Sequence, residues 1–176
     1  MTQFAFLSPE FPALLDPAKR AERMALSDPR GACFYARLTL ETALTWMYRR
    51  DPALRSPYDR NLAALIHEPS LEKLTGQAIV AKAKLVKDLG NRAVHDARPV
   101  TAASATAAVR ELFHICYWLV RTYARGAKPP AGLAFDPGKL EKTLTIPAST
   151  VAQVEKLRQD HDAKARALRE AEAARL

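Results

Sequence analysis

Apolar side chains recur at helical spacing through most of the first 125 residues, and proline-containing punctuation separates one run from the next. Between Pro29 and Arg50, the positions Cys33, Ala36, Leu40, Leu44 and Met47 draw one helix face. Apolar residues flank that stripe on both sides, which predicts a central helix. Asp28-Pro29 supplies its start signal and Asp51-Pro52 its stop. An earlier helix is expected after Ser8-Pro9, with Ser8 as its cap and Pro9 in its first turn, running to about Leu26 with Pro17 as a kink or break. Short amphipathic segments follow around Leu62, Leu65 and Ile66, and around Leu71 and Leu74. From Gln77 the buried face is Ile79, Ala83, Val86 and Ala93, and it carries Gly90. Glycine costs a helix about 1 kcal/mol relative to alanine, so its presence there points to close packing against a neighbouring helix. After Pro99 a long helix from Ala102 to Ala124 should bury Val109, Leu112, Phe113, Cys116, Leu119 and Val120. The expected fold is all-α, a compact bundle of about five helices over residues 1–126.

The stretch Gly126-Ala-Lys-Pro-Pro-Ala-Gly132 cannot continue a helix. It opens a linker arm over residues 127–148. From Ser149 the chain becomes an Ala-, Arg- and Glu-rich helix whose larger apolar positions are Val151, Val154, Leu157 and Leu168. This thin stripe suits either a weak coiled coil or a solvated, protruding helix. No stop signal precedes Leu176, so the helix is expected to continue in a longer polypeptide.

Charge changes the picture next. Lys and Arg outnumber Asp and Glu by 27 to 19, and 19 of those bases against 12 acids lie in residues 1–130. The positive field belongs to the expected bundle and favours polyanions, nucleic acid first, or marks nothing more than a basic soluble protein. Cys33 and Cys116 lie in apolar helical stretches without metal-ligand or redox spacing, as buried thiols of a reducing cytosol do. The start of the chain lacks the pattern of a secretion signal, and the longest strongly apolar run, Ile115 to Val120, is too short to span a bilayer. A soluble, cytoplasmic protein without membrane contact is expected.

The candidate chemistry is polar and basic. Asn91 and His95 stand four apart on one helix face, as do Arg37 and Glu41 on another helix. These four residues form either a polar network between packed helices or a ligand-contacting surface. Lys84, Lys87, Asn91, His95 and Arg98 draw one mostly basic stripe able to contact phosphates without reading bases. A second cluster, Arg49, Arg50, Arg55 and Arg60, surrounds a loop near Tyr58 and suits protein or nucleic-acid contact equally. His67, His114 and His161 share no metal-ligand spacing, so no metal is expected.

Leu85-Val-Lys-Asp-Leu-Gly90-Asn91-Arg92-Ala93-Val94-His95-Asp96 resembles the "IGN-x-AVH" signature of the helical N-terminal domain of type I restriction enzyme R subunits. Tyr35-Ala-Arg37-Leu38-Thr-Leu-Glu41 resembles that family's "LRxxxE" helix, and Tyr117-Trp118-Leu-Val-Arg121-Thr-Tyr123 its "VWxYR" helix. Phe4-Ala-Phe6-Leu7 and Asp28-Pro29 fit the same order, and the likeness covers residues 4–125. The resemblance implies a docking or nucleic-acid-associating domain that is not itself an enzyme. It implies as parent a type I site-specific deoxyribonuclease with an ATP-dependent DNA translocase, using ATP and magnesium and joined to a methyltransferase core of modification and specificity subunits. Weak, non-specific DNA binding is expected of the domain itself, and no cofactor. The chain has no G-x-x-x-x-G-K-[ST] phosphate loop, so that ATP chemistry would reside elsewhere in the parent.

The chain also resembles the HEPN superfamily, many of whose members are RNases with an Arg-x4–6-His motif. Here the positions five, six and seven before His95 are Gly90, Leu89 and Asp88, and Arg92 stands only three before it. A stand-alone HEPN-like RNase of a toxin or antiphage system is therefore the alternative, and a homodimerisation module is a third reading.

Overall fold

Six α-helices and two short 3-10 turns make up the described part of the chain in the computed structural model, which describes residues 1–142 and, beyond them, Lys156, 158–160 and Ala163. The helices are α1 (Pro12–Met24), α2 (Pro29–Arg50), α3 (Leu62–His67), α4 (Pro69–Thr75), α5 (Gln77–His95) and α6 (Ala102–Tyr123). No strand occurs among the described residues, and the all-α class expected from the apolar spacing is the one observed. The charged helix expected from Ser149 lies almost wholly outside the described residues.

Side-chain caps set most starts. The Asp28 carboxylate accepts from Gly31 N, Asn61 from Ala64 N and Thr101 from Ser104 N, each satisfying an amide that the first helical turn leaves open. The Ser8 cap expected for α1 does not form. Ser8 instead ends the 3-10 turn Ala5–Leu7, and α1 starts at Pro12 after Phe11 without a side-chain cap. Pro17 lies close to the middle of α1 and does not divide it.

α2 is central and packs against α1, α5 and α6. Its buried residues include five of small or medium size, Ala32, Cys33, Ala36, Thr39 and Ala43, so its neighbours approach closely on several sides. Every position expected to face the core from α2 and α6 is buried. In α5 the buried set is Val80, Ala83, Val86, Leu89, Gly90 and Ala93, with Ile79 only partly covered. Phe113 of α6 anchors an aromatic cluster, with ring centroids 5.7 Å from Phe4, 5.4 Å from Phe6 and 5.8 Å from Phe135. Both thiols are buried, and loss of solvation pushes Cys33 up to about 11 and Cys116 to about 12.

Residues 127–142 belong to the same compact unit as the helices. Phe135 and Leu140 are buried in its core. Arg121 and Tyr117 donate to the carbonyls of Pro129 and Pro130 at 2.9 Å each. Gln3 and Asp136 exchange two hydrogen bonds, of 3.0 and 2.7 Å. Glu10 accepts from the amides of Arg125 and Gly126, which lowers its pKa. The segment, expected from the sequence as part of a linker arm, is a strap fastened across α6 to the start of the chain.

Candidate functional site

The motif residues meet along the seam between α2 and α5. Gly90 lets the stem of Arg37 lie directly against α5, since a Cβ at position 90 would stand 2.4 Å from Arg37 Cβ and 2.8 Å from its Cδ. The close packing expected from this glycine is thus present. The side chain then donates from Nε to Asn91 Oδ1 at 3.0 Å and reaches Glu41 at 3.5 Å. Arg37, Glu41 and Asn91 are only partly buried, so this network borders solvent.

His95 does not join it. The imidazole is exposed at the last residue of α5 and makes no hydrogen bond or ion pair among the described residues. α2 runs antiparallel to α5 here. Two turns before Arg37 comes Arg30, which donates to the carbonyls of Ala93, Asp96 (3.0 Å) and Arg98 (2.9 Å). The guanidinium closes the open C-terminal end of α5.

The basic stripe expected along one helix face loses Arg98, which lies beyond the end of α5 at His95, and most of its free charge is taken by its own neighbours. Lys87 is held by Asp88 at 2.8 Å, and Arg98 grips the Asp96 carboxylate with contacts of 2.7 to 3.2 Å. Those hydrogen bonds from Arg98 hold Asp96 down at about 2. Lys84 alone of the three is exposed without an ion-pair partner among the described residues. A three-cation phosphate ladder is therefore not presented, because i,i+1 and i,i+2 carboxylates on the same segment satisfy two of the cations.

The second basic cluster is different. Arg49, Arg50, Arg55 and Arg60 are all exposed, and none has an ion-pair partner among the described residues. Arg50 lies over the Trp46 ring at 5.6 Å from its centroid. Arg49, at the end of α2, and Arg60, just before α3, converge on a cavity of about 160 Å3 shared with Thr45, Tyr48, Ser56 and Leu65. Arg55 faces a separate, open groove with Lys73. The loop between α2 and α3 is pinned at several points. Asp51 accepts from Ala53 N at 2.9 Å and from the Tyr123 hydroxyl at 2.6 Å, and Ser70 accepts from Arg55 N at 3.0 Å. The Tyr48 hydroxyl donates to Leu65 O at 2.7 Å, and burial with the nearby Glu68 charge pushes its pKa up to about 12. Tyr58, at the tip of this fixed loop, stands fully in solvent.

A further cluster joins α5 to α6 and has little sequence signal. Glu111, 8% exposed, is bound by Lys82 at 2.5 Å, Arg110 at 2.9 Å and His114 at 3.2 Å. Burial raises its pKa, but the hydrogen bonds from these three groups outweigh that and hold it at about 2. His114 Nδ1 is 3.2 Å from both Lys82 Nζ and Glu111. The only hint in the sequence is a Glu three residues before a His, flanked by the apolar run of α6. With its carboxylate committed three ways, the cluster acts as a cross-link between helices.

No helix among the described residues is long and apolar enough to cross a membrane. The described residues contain no group of three or more His, Cys, Asp or Glu able to hold a metal. No curated protein and no solved structure matches the chain. The family described as Domain of unknown function (DUF4145) matches residues 19–160, a stretch that takes in all of α2 to α6, the Arg37 seam and the Arg49–Arg60 loop. The chain is a member of the DUF4145 family.

Proposed function

We propose that this chain is a non-catalytic helical module that associates with nucleic acid through the loop between α2 and α3. The observation that carries this reading is the set Arg49, Arg50, Arg55 and Arg60, four exposed arginines without carboxylate partners around a loop fixed to the bundle. Guanidinium groups left free for a ligand suit phosphate, which they meet with paired N–H donors. The order and spacing of the motifs support a place for the module like that of the N-terminal domain of type I restriction enzyme R subunits. In such a setting it docks near a modification and specificity core while a separate motor uses ATP and magnesium to translocate and cut DNA. The seam of Arg37, Glu41 and Asn91 then serves to fix α2 against α5, and the basic loop leaves the C-terminal end of α2.

The test is the salt dependence of binding between the full chain and a DNA duplex of arbitrary sequence. Each neutralised phosphate contributes about 0.9 to the log–log slope. Replacing Arg49, Arg55 and Arg60 with Ala should flatten the slope by roughly two to three units, and replacing Lys84, Lys87 and Arg98 by about one or less. Absence of binding at low salt, or an equal loss in both variants, defeats the assignment to the loop. Metal-independent RNA cleavage that vanishes in His95→Ala would replace this reading with the HEPN-like RNase.

A further inference from the structure

We infer that the α2–α3 loop is a reader of single-stranded nucleic acid, taking one phosphate between Arg49 and Arg60 and stacking the adjoining base on Tyr58. The inference rests on the nucleic-acid reading above and names the form of ligand that the same surface prefers.

The cavity provides the first step. At about 160 Å3 it is smaller than the roughly 300–1,000 Å3 of pockets that enclose whole small molecules. A base with its sugar does not fit, whereas a single oxyanion group does. Two guanidinium groups, from the end of one helix and the entry to another, face this space without a carboxylate partner. The hydroxyls of Thr45 and Ser56 add polar donors to the lining, and Tyr48 and Leu65 form a wall locked by their own hydrogen bond. An anion held there is met by donors from two helix ends that have no competing carboxylate among the described residues.

Tyr58 provides the second step. It lies two residues from Ser56 and two from Arg60, both of which line the cavity. Two residues of chain span at most about 7 Å, so a base attached to the bound phosphate is within the ring's reach. The ring is fully exposed and makes no aromatic contact among the described residues, while the chain before it is tied to Ser70 through the Arg55 amide and the chain after it enters α3 through the Asn61 cap. An aromatic face offered beside a phosphate site binds unpaired bases, because duplex bases are already stacked and their faces are hidden. The arrangement carries no base-edge donors or acceptors in a fixed pattern, so sequence preference is not part of the inference.

The experiment measures binding of fluorescein-labelled oligonucleotides to the full chain by anisotropy, using one single strand and its duplex at equal length. Wild type should bind the single strand more tightly, and inorganic phosphate at millimolar concentration should compete. Tyr58→Ala should weaken single-strand binding at least about fivefold, the lower end of what loss of one stacked base produces, and leave duplex binding unchanged. Tyr58→Phe should retain the preference. Arg60→Ala should weaken both forms. Duplex binding equal to or tighter than single-strand binding, or a Tyr58→Ala variant with the wild-type preference, overturns this inference and leaves the broader nucleic-acid reading standing. Failure to bind either form defeats both.

Discussion

Replacing Glu111 with Gln keeps the shape of the side chain and removes the charge that three neighbours share. An ordinary glutamate titrates near 4.5, and Glu111 is held at about 2. At 1.36 kcal/mol per pH unit this difference corresponds to about 3 kcal/mol of folding free energy. That figure is an upper bound, because the Lys82 and Arg110 side chains are 30% and 47% exposed and regain water once the carboxylate is gone. A loss of about 1–3 kcal/mol at neutral pH is therefore expected. The sign follows from the folded carboxyl being the stronger acid. Its contribution is complete above about pH 4.5 and is lost as the pH falls through about 2, below which folded and unfolded states are both protonated. Urea titrations of wild type and Glu111→Gln, followed by far-ultraviolet circular dichroism, should show a constant gap at neutral pH that closes across this acid range. Asp96, also held at about 2, and Glu10 titrate alike in both proteins and cancel in the difference. Equal stability at neutral pH, or a gap that stays constant down to about pH 2, would refute the assignment of Glu111 as the charged tie between α5 and α6.

Three more stability predictions concern the α2–α5 seam and the end of α5. Gly90→Ala gains helix propensity yet should destabilise the fold by about 1–3 kcal/mol, since the new methyl meets the Arg37 stem rather than the tip of a flexible chain; an unchanged melting temperature would refute this. Asn91→Ala should cost about 1 kcal/mol and couple to Arg37→Ala in a double-mutant cycle. His95→Ala should stay within about 0.5 kcal/mol of wild type, and a larger loss would return His95 to the network.

The helices were legible wherever local chemistry punctuates the chain. Asp28-Pro29 marks the start of α2 with a side chain that caps it, and such a cap depends on three or four adjacent residues only. Ser8-Pro9 shows the limit of that logic. The same residue types can end a 3-10 turn, and burial of Phe4, Leu7 and Phe11 decides the outcome from outside the local window. Spacing also placed Asn91 and His95 on one face correctly, but a face does not reveal which residue the opposing helix brings to each turn. The residue that α2 brings to the end of α5 is Arg30, far away in sequence, and it binds backbone carbonyls there. Charge was legible as an excess and not as free charge. Whether a lysine or arginine is available to a ligand depends on its carboxylate neighbours, and these separate the quenched α5 stripe from the open α2–α3 loop.

The strap over residues 127–142 gives the fold an order of assembly. Gln3 and Asp136 stand 133 residues apart, and closing so long a loop from an open chain costs about 4 kcal/mol in entropy. Two hydrogen bonds, at about 1 kcal/mol each, cannot offset that. Once α1 and α6 have packed, only the short span beyond Tyr123 remains to be closed, at about 2 kcal/mol, and burial of Phe135 and Leu140 then makes docking favourable. The strap is thus a clasp that shuts last and opens first. Its amides should exchange with solvent through a partial opening that leaves the six helices intact, and a protease should find its earliest entry into the bundle there.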